Sequence, residues 1–325
     1  MKASEFRSWM EALNLMSRGQ RDMLRDQLQG KEMGDEGAKL IEQSLTAEPA
    51  CPHCASTELH RWGTSCGLQR YRCRSCRRTF NALTSTPLAR LRHKDKWLNY
   101  EQAMIQGVSL RQAATGCGIS KNTSFKWRHR FLCAPVTQQP VQMSGIVEAD
   151  ETFFLESFKG QRHLHRIARK RGGKAIKRGT SAEQIPVLVV RDRHGETADF
   201  VLPGVSAEQI EPMLKPLLNK DVMLCTDGAA VYKVIAKHAG VVHRPVNVAA
   251  GQRVIGGIYH IQNVNAYDSR LKQWMVRFHG VATRYLESYL GWHRLLDHLG
   301  QHATPVACFI ASIGKERRFQ QLSAT

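Results

Sequence analysis

No run of apolar residues in this 325-residue chain reaches the roughly 18 that a membrane-spanning helix requires. A transmembrane protein is thereby excluded. The start Met1-Lys2-Ala3-Ser4-Glu5 is polar, with acids close behind, and lacks the basic-then-apolar order of a secretory signal. Both absences predict a soluble protein of the cytoplasm with no membrane partner. Acids are scarce as well: 28 Asp and Glu stand against 47 Lys and Arg, a formal charge of +19. Such an imbalance draws polyanions from a distance and makes binding salt dependent. No amphipathic basic helix dominates, so nucleic acid is favoured over anionic lipid. Nine cysteines are an odd number, which argues against a disulfide framework. With 42% hydrophobic residues, the chain can bury at least one full core and carry smaller modules.

Four of the cysteines nevertheless form a pattern. Cys51-Pro52-His53-Cys54 and Cys73-Arg74-Ser75-Cys76 are two CxxC knuckles at zinc-ribbon separation, so four thiolates can close a tetrahedron around one Zn2+. A redox CxxC needs only one pair, in a thioredoxin-like setting. A closed four-cysteine site has no open position, which makes the metal structural. Cys66, His53 and His60 stand outside the set. Arg70, Arg72, Arg74, Arg77 and Arg78 crowd the second knuckle with Tyr71 and Phe80 among them, as on a phosphate-contacting face.

Before the ribbon, Phe6, Trp9, Met10, Leu13 and Met16 recur at helical spacing, with Met23, Leu24 and Leu28 after Gly19. One helix or two are expected, then a Gly- and Glu-containing linker ending near Ala50. After the ribbon, Asp95 to Leu132 reads as three helices in helix-turn-helix spacing. Ser109 and Ser120 are the N-caps, Gly116-Cys117-Gly118 the tight turn and Ile119 the core plug. The last helix carries Lys121, Asn122, Thr123, Lys126, Arg128 and Arg130, types suited to base edges and phosphates in a major groove. Phe125, Trp127 and Phe131 form its packing side. Cys117 and Cys133 are read as small core residues.

Beyond a Pro135–Pro140 linker, Val147-Glu148-Ala149-Asp150-Glu151-Thr152 reads as an apolar strand that ends in carboxylates. Asp221 to Gly228 reads likewise, ending at Asp227 before a helix through Val231, Tyr232 and Ile235. Acids held stiffly at strand ends suit a divalent ion for phosphoryl transfer, although Asp227 is equally placed as a helix cap. Between these strands, Lys159 to Arg178 holds Arg169, Lys170 and Arg171 among its bases and no acid, the composition of a DNA-contacting loop. Ile185–Val190 and Thr197–Leu202 flank Asp192-Arg193-His194-Gly195 as a hairpin. Ser206 caps a helix through Ile210, Met213 and Leu217, and Val241-Val242 is a further short strand. Tyr259 to Phe278 is helical, with Asn265, Asp268 and Lys272 on one face.

That succession, with acids after the first strand, after the fourth and on a late helix, resembles the ribonuclease-H-like core of DDE transposases and retroviral-type integrases. Cys51–Cys54, Cys73–Phe80, Trp127–Arg130, Val147–Thr152, Thr226-Asp227 and His260–Lys272 together resemble bacterial insertion-sequence transposases of the ISXO-like group, the fifteen-ninety-five family. The resemblance covers the chain from about Ala50 to about Leu296. It implies a multidomain α/β fold: a ribonuclease-H-like mixed sheet with flanking helices, preceded by a zinc ribbon and a helix-turn-helix. The expected segments are an N-terminal helical part at 1–48, the ribbon at 49–90, the helix-turn-helix at 91–134, the catalytic domain at 141–300 and a basic tail at 301–325.

On this resemblance Asp150 and Asp227 are the first two catalytic acids, holding Mg2+ or Mn2+. The third position, where most DDE enzymes carry Glu, falls on Asn265, and Lys272 matches the basic residue two turns later. Asn keeps a carbonyl oxygen for an ion and lacks the charge. Asp268 and Glu148 remain alternatives for that role. The implied partners are double-stranded DNA, as terminal inverted repeats and target, and further copies of the chain that pair two ends on the bacterial nucleoid. Two readings compete with transposition: an inactive transposase-derived repressor, and a nuclease that cuts without joining.

Overall fold

The computed structural model describes residues 2–46, 49–164, 166–169, 173, 175, 181, 183–247 and 250–314. The chain divides into two compact units, one drawn from Met1–Gln106, Leu110–Trp127 and Thr304–Thr325, the other from Gly107–Ser109 and Arg128–Ala303. No helix among the described residues is long and apolar enough to cross a membrane.

The first unit opens with helices α1 (Ala3–Leu15) and α2 (Arg18–Thr46). Where the composition predicts a linker, α2 runs unbroken for 29 residues through Gly30, Gly34 and Gly37. Packing explains it. A Cβ on Gly34 would lie 2.9 Å from the Asp95 carbonyl oxygen, and one on Gly37 3.6 Å from Leu98, so the glycines admit close approach and tertiary contact overrides their low helix propensity. The three short strands β1 (Leu59–Ser65), β2 (Leu68–Cys73) and β3 (Thr79–Phe80) form an antiparallel sheet.

Helices α3 (Trp97–Ile105), α4 (Leu110–Gly116) and α5 (Lys121–Phe131) follow. Ser120 Oγ accepts the Thr123 N–H at 3.1 Å and starts α5, after a turn in which Gly118 takes φ +57°. The Tyr100 hydroxyl donates to the Ser124 carbonyl at 2.5 Å, and Ser124 Oγ donates to the Leu110 carbonyl at 2.9 Å. Trp127 meets Tyr100 edge-on at 5.3 Å. Phe125 is 41% exposed rather than on the packing side, because residues two apart on a helix point away from each other. Cys117 is buried as expected; Cys133 is exposed.

Within 301–325, Pro305–Ile313 forms a helix, α11 in chain order, started by Thr304 Oγ1, which accepts the Ala307 N–H at 3.2 Å. Its buried Phe309 lies 5.9 Å from Trp97. Glu101 of α3 is fully buried in this unit. Burial pushes its carboxyl from 4.5 up to about 8, against a smaller pull from the Ser312 hydroxyl of α11. The sign follows by linkage. The folded state binds the proton more tightly, so this stabilisation is complete below pH 4.5 and is lost as pH rises to about 8. Glu101→Gln is expected to remove a pH-dependent loss on the order of 4 kcal/mol. Thermal melts at pH 6 and 9 should therefore differ less in the variant than in the wild type.

The second unit is a mixed α/β sandwich. After the short helix α6 (Cys133–Thr137), five strands, β4 (Ile146–Leu155), β5 (Gln184–Asp192), β6 (Thr197–Val201), β7 (Met223–Thr226) and β8 (Val242–Pro245), form one sheet in the order β6-β5-β4-β7-β8. The first three are antiparallel neighbours, and β7 and β8 run parallel to β4. The β5–β6 turn is held by Asp192 Oδ1, which accepts the N–H groups of His194 and Glu196 at 2.9 and 3.0 Å. On one face Val147, Ala149, Leu188 and Val190 pack with Ile210 and Leu214 of α7 (Ala207–Leu214) and with Tyr232 and Ile235 of α8 (Ala230–Ala239). Helices α9 (Gln262–Val276) and α10 (Leu286–Leu299) pack against the sheet as well, α9 through buried Val264, Tyr267, Leu271 and Trp274. The strand alternation and helical stripes read from the sequence supply these faces.

Candidate functional site

Strand β4 does not end at its acids. It continues through Thr152, Phe153 and Phe154 to Leu155, paired with β5 throughout, so Asp150 sits mid-strand opposite Val189. The β-branched and aromatic residues after Glu151 extend the strand. What ends is the neighbour. Pairing of β4 with β7 stops at Glu148–Cys225, leaving Asp150 two residues beyond, alongside the chain that leaves β7 at Thr226 and Asp227. Neighbouring strands are about 4.8 Å apart, which brings the two aspartates to the same notch.

Asp227 is also a turn former. Its Oδ1 accepts the Ala229 N–H at 2.9 Å ahead of α8, and Gly228 takes φ +90° between them. The bland and chemical readings of this residue coexist in one side chain. Beneath it, Thr226 Oγ1 accepts the Gly228 N–H at 3.2 Å and lies 2.9 Å from His243 Nε2 of β8.

Alternation along β4 sends Glu148, Asp150 and Thr152 to one face and Glu151 to the other. Glu151 there accepts the Tyr232 hydroxyl at 2.6 Å. Glu148 is fully buried. Its Oε2 accepts the N–H groups of Asn263 and Val264 at 2.8 and 3.0 Å, serving the open amides of the first turn of α9. Its Oε1 pairs with Arg193 at 3.1 Å and lies 3.3 Å from His260 Nδ1. The residue therefore anchors α9 over β4, an assignment that sequence reading missed. Glu148→Ala should cost about 3–5 kcal/mol, since it removes the buried ion-pair partner of Arg193 and the acceptor of the Asn263 and Val264 N–H groups; Glu148→Gln, which keeps an acceptor, should cost less. Urea midpoints of the two variants check this.

The anchored helix brings its polar residues to the notch. Asp268 is 7% exposed. Burial, then the Asp150 charge, push its carboxyl up to about 7 against the pull of Lys272. Burial likewise raises Asp150 to about 6; the Glu151 N–H, 2.9 Å from its Oδ1, opposes this, Asp227 adds to it and Lys272 opposes it. Asp150 thus lies in the fields of Asp227 and Lys272, and Asp268 in those of Asp150 and Lys272. Asn265, one turn before Asp268, is exposed. Asp150 and Asp268 are desolvated with too little positive charge to offset them, Asp227 is exposed, and Asp268 Oδ1 has no hydrogen-bond partner among the described residues. A divalent cation at Asp150 would offset its desolvation cost.

The four knuckle thiols form a group that could hold a metal ion, with all ligand atoms within 4.8 Å of one another. Cys51–Cys76 and Cys54–Cys73 sulfurs are 3.6 Å apart, close to the edge of about 3.8 Å of a tetrahedron with 2.3 Å zinc–sulfur bonds. The two knuckles repeat one geometry. Ala55 N–H donates to the Cys51 carbonyl and Arg77 N–H to that of Cys73, at 2.8 and 3.1 Å, with Ala55 and Arg77 in the left-handed region at φ +59° and +62°.

Of the expected DNA-contacting residues, Arg74, Arg77, Arg78, Lys121, Asn122 and Lys126 are exposed, and Thr123 and Arg130 are half-buried. Arg128 departs from the expectation. It is 4% exposed, and its guanidinium donates to the Val108 carbonyl at 2.8 Å, because its turn of α5 faces inward. Arg169 is engaged internally, donating to the Glu156 carbonyl at 2.6 Å and pairing with Glu183 at 3.1 Å. Lys170 and Arg171 lie outside the described residues.

Comparison with known proteins adds three findings. Residues 142–292 match the model of a family described as the ISXO2-like transposase domain. Over 248 residues, 74% of this chain and 82% of the relative, the sequence is 30% identical to an uncharacterized protein in transposable element ISH50 of Halobacterium salinarum. A crystal structure of a pre-cleavage Mos1 transpososome aligns over 69% of this chain and 77% of that one, at 12% identity and a TM-score of 0.28, a likeness too slight to argue from.

Proposed function

The chain belongs to the ISXO2-like transposase family, and on that premise we propose that it binds the terminal inverted repeats of its insertion sequence, cleaves at the ends and joins the freed 3′-hydroxyl to target DNA. Membership implies DNA as partner and a divalent metal as requirement. The observation that carries the finer reading is the notch where β7 stops: Asp150 stands there, desolvated, in the field of Asp227 at the end of β7 and of Lys272 on α9.

We read the sheet order β6-β5-β4-β7-β8, three antiparallel strands followed by two parallel ones, as a ribonuclease-H-like core within 141–300. Helices α3 to α5 are read as a helix-turn-helix whose Lys121, Asn122, Thr123 and Lys126 meet the end DNA, with Arg74, Arg77 and Arg78 of the zinc ribbon on its phosphates. Asp150 and Asp227 hold the ion, magnesium or manganese, at the rim of the sheet. A divalent ion held there supplies Lewis-acid activation of water and of the 3′-hydroxyl. Lys272, exposed on α9, sets a cation where a backbone phosphate beside the scissile bond would lie. Pairing two ends calls for more than one copy of the chain in the DNA complex.

Asn265 at the position where most DDE enzymes carry Glu favours one other reading, a repressor that binds ends without cutting. The test is joining of a labelled terminal-repeat duplex to plasmid by the purified chain, with Mg2+ or with EDTA. Joined product in Mg2+ alone is expected. Specific end binding with no cleavage would establish the repressor, and cleavage without joining the nuclease.

A further inference from the structure

We infer that α1 and the first turns of α2 form a self-docking face through which two copies of this chain pair as a dimer in the absence of DNA. The inference goes beyond the reading above, which calls for a second copy only in the DNA complex, and it holds or fails independently of the metal chemistry. Its ground is a helix with an apolar side and no core of its own chain beneath it. Phe6, Trp9, Met10 and Leu13 fall within about 100° of one another round α1, yet no residue of α1 is buried. An isolated helix of 13 residues is marginal in water, so this side calls for a partner. Met23 and Leu28 of α2, 64% and 51% exposed, add to it. Together these side chains present on the order of 600 Å2 of apolar surface, at the top of the range that monomers leave exposed and approaching the roughly 800 Å2 that each partner gives to a standard interface.

Charge selects the occupant. Residues 1–46 hold seven Lys and Arg and eight Asp and Glu, whereas the rest of the chain holds 40 and 20. Duplex DNA and anionic lipid both call for a basic surface, so neither fits the one segment that is not basic. A second copy does. Two chains of +19 repel wherever their basic surfaces face, and they meet without that cost at the segment where the excess charge vanishes. Phe, Trp and Met are also the types enriched at the cores of protein interfaces. A twofold pair uses the same patch on both partners, and α1 suits this: Trp9 is the middle residue of Ala3–Leu15. An antiparallel pair centred on Trp9 keeps that aromatic at the axis and sets Phe6 of each copy near Leu13 of the other.

The experiment is sedimentation equilibrium of the full chain at micromolar concentration, without DNA or divalent ion, so its result is separate from that of the joining assay. Wild type is expected at twice the chain mass. The double variant Phe6→Glu, Trp9→Glu should raise the dissociation constant by about a hundredfold or more and sediment as a monomer. Because no α1 residue is buried, these changes remove no packing within the chain, and the milder pair Phe6→Ala, Trp9→Ala should weaken the dimer in the same direction. Leu15→Glu is the control. Leu15 is 88% exposed and lies half a turn round α1 from Phe6, so this variant should remain dimeric. Monomeric wild type would overturn the inference, and binding of that monomer to neutral phosphatidylcholine vesicles would name a membrane as the occupant instead. A dimer that survives both double variants would place the interface elsewhere, and dissociation by Leu15→Glu as well would reduce the face to unspecific apolar association; either result overturns the inference.

Discussion

Replacing Asp150 with Asn is expected to abolish strand joining, by about a thousandfold or more, while specific end binding persists and the chain melts no lower than wild type. The three outcomes follow from one side chain. Asn keeps an Oδ1 acceptor for the Glu151 N–H, now bonded at 2.9 Å, so the local backbone is preserved. It removes a charge that burial and the neighbouring Asp227 disfavour, so stability is maintained or gained, as when an active-site strain is relieved. What it loses is the carboxylate that holds a cation. Asp227→Asn should behave alike: its oxygen still accepts the Ala229 N–H at the head of α8, and joining disappears. Asp227→Ala removes the turn bond too, so it confounds folding with chemistry. The same carboxyls set a pH dependence. Without a cation Asp150 stands near about 6 and Asp268 near about 7, and an ion must displace those protons. At limiting Mg2+, joining should therefore rise from pH 6 to 8, and the rise should shrink at saturating Mg2+. Joining by Asp150→Asn at the wild-type rate would sink the assignment.

The order of elements was legible because each carries a local signal. Ser120 starts α5, Asp192 and Gly195 turn the β5–β6 hairpin, and period-two and period-3.6 stripes mark the strands and α9. What was not legible depends on partners distant in sequence. Gly34 and Gly37 read as linker residues until Asp95 and Leu98 stand against them. The strand reads as ending at its carboxylates until β5 is laid alongside Thr152 to Leu155. In the run Val147 to Thr152 the sequence leaves Glu148 as an alternative metal ligand beside Asp150. Only the fold shows that Glu148 is consumed by Arg193 and the first amides of α9, and that Asp150 faces the notch. Arg128 misleads for the same reason: a basic residue in a basic helix reads as a DNA contact until the Val108 carbonyl is found beneath it. A pair of acids was thus visible in the sequence, and their packing was not.

Stripping zinc should have the second large effect, and on recognition rather than chemistry. The ribbon has little else to hold it. Its buried apolar side chains are Leu68, Phe80, Ala82, Leu83 and Leu88 beside the candidate ligands Cys51 and Cys73, with Phe80 stacked on Tyr71 at 5.9 Å and a bond from the Gln69 N–H to Glu42 Oε1 of α2 at 2.7 Å. A module of this size does not fold on such a core, and a structural zinc contributes about 10–16 kcal/mol. The Cys76 N–H and the neighbouring thiols hold Cys73 down at about 6. Cys54, against the pull of the Ser56 N–H, is pushed up to about 12 by burial and the thiols around it. Zinc binding should accordingly release protons as it deprotonates the set. Cys73→Ser is expected to lose tightly held zinc, measured by metal analysis of the purified chain. Its affinity for terminal-repeat DNA should drop by about a hundredfold or more, as phosphate contacts from Arg74, Arg77 and Arg78 lose their frame. Mn2+ binding at the acid notch lies in the other compact unit and should survive. Full zinc retention in Cys73→Ser would show that the four thiols are not the ligand set, and loss of both metals together would show that the two units do not fold separately.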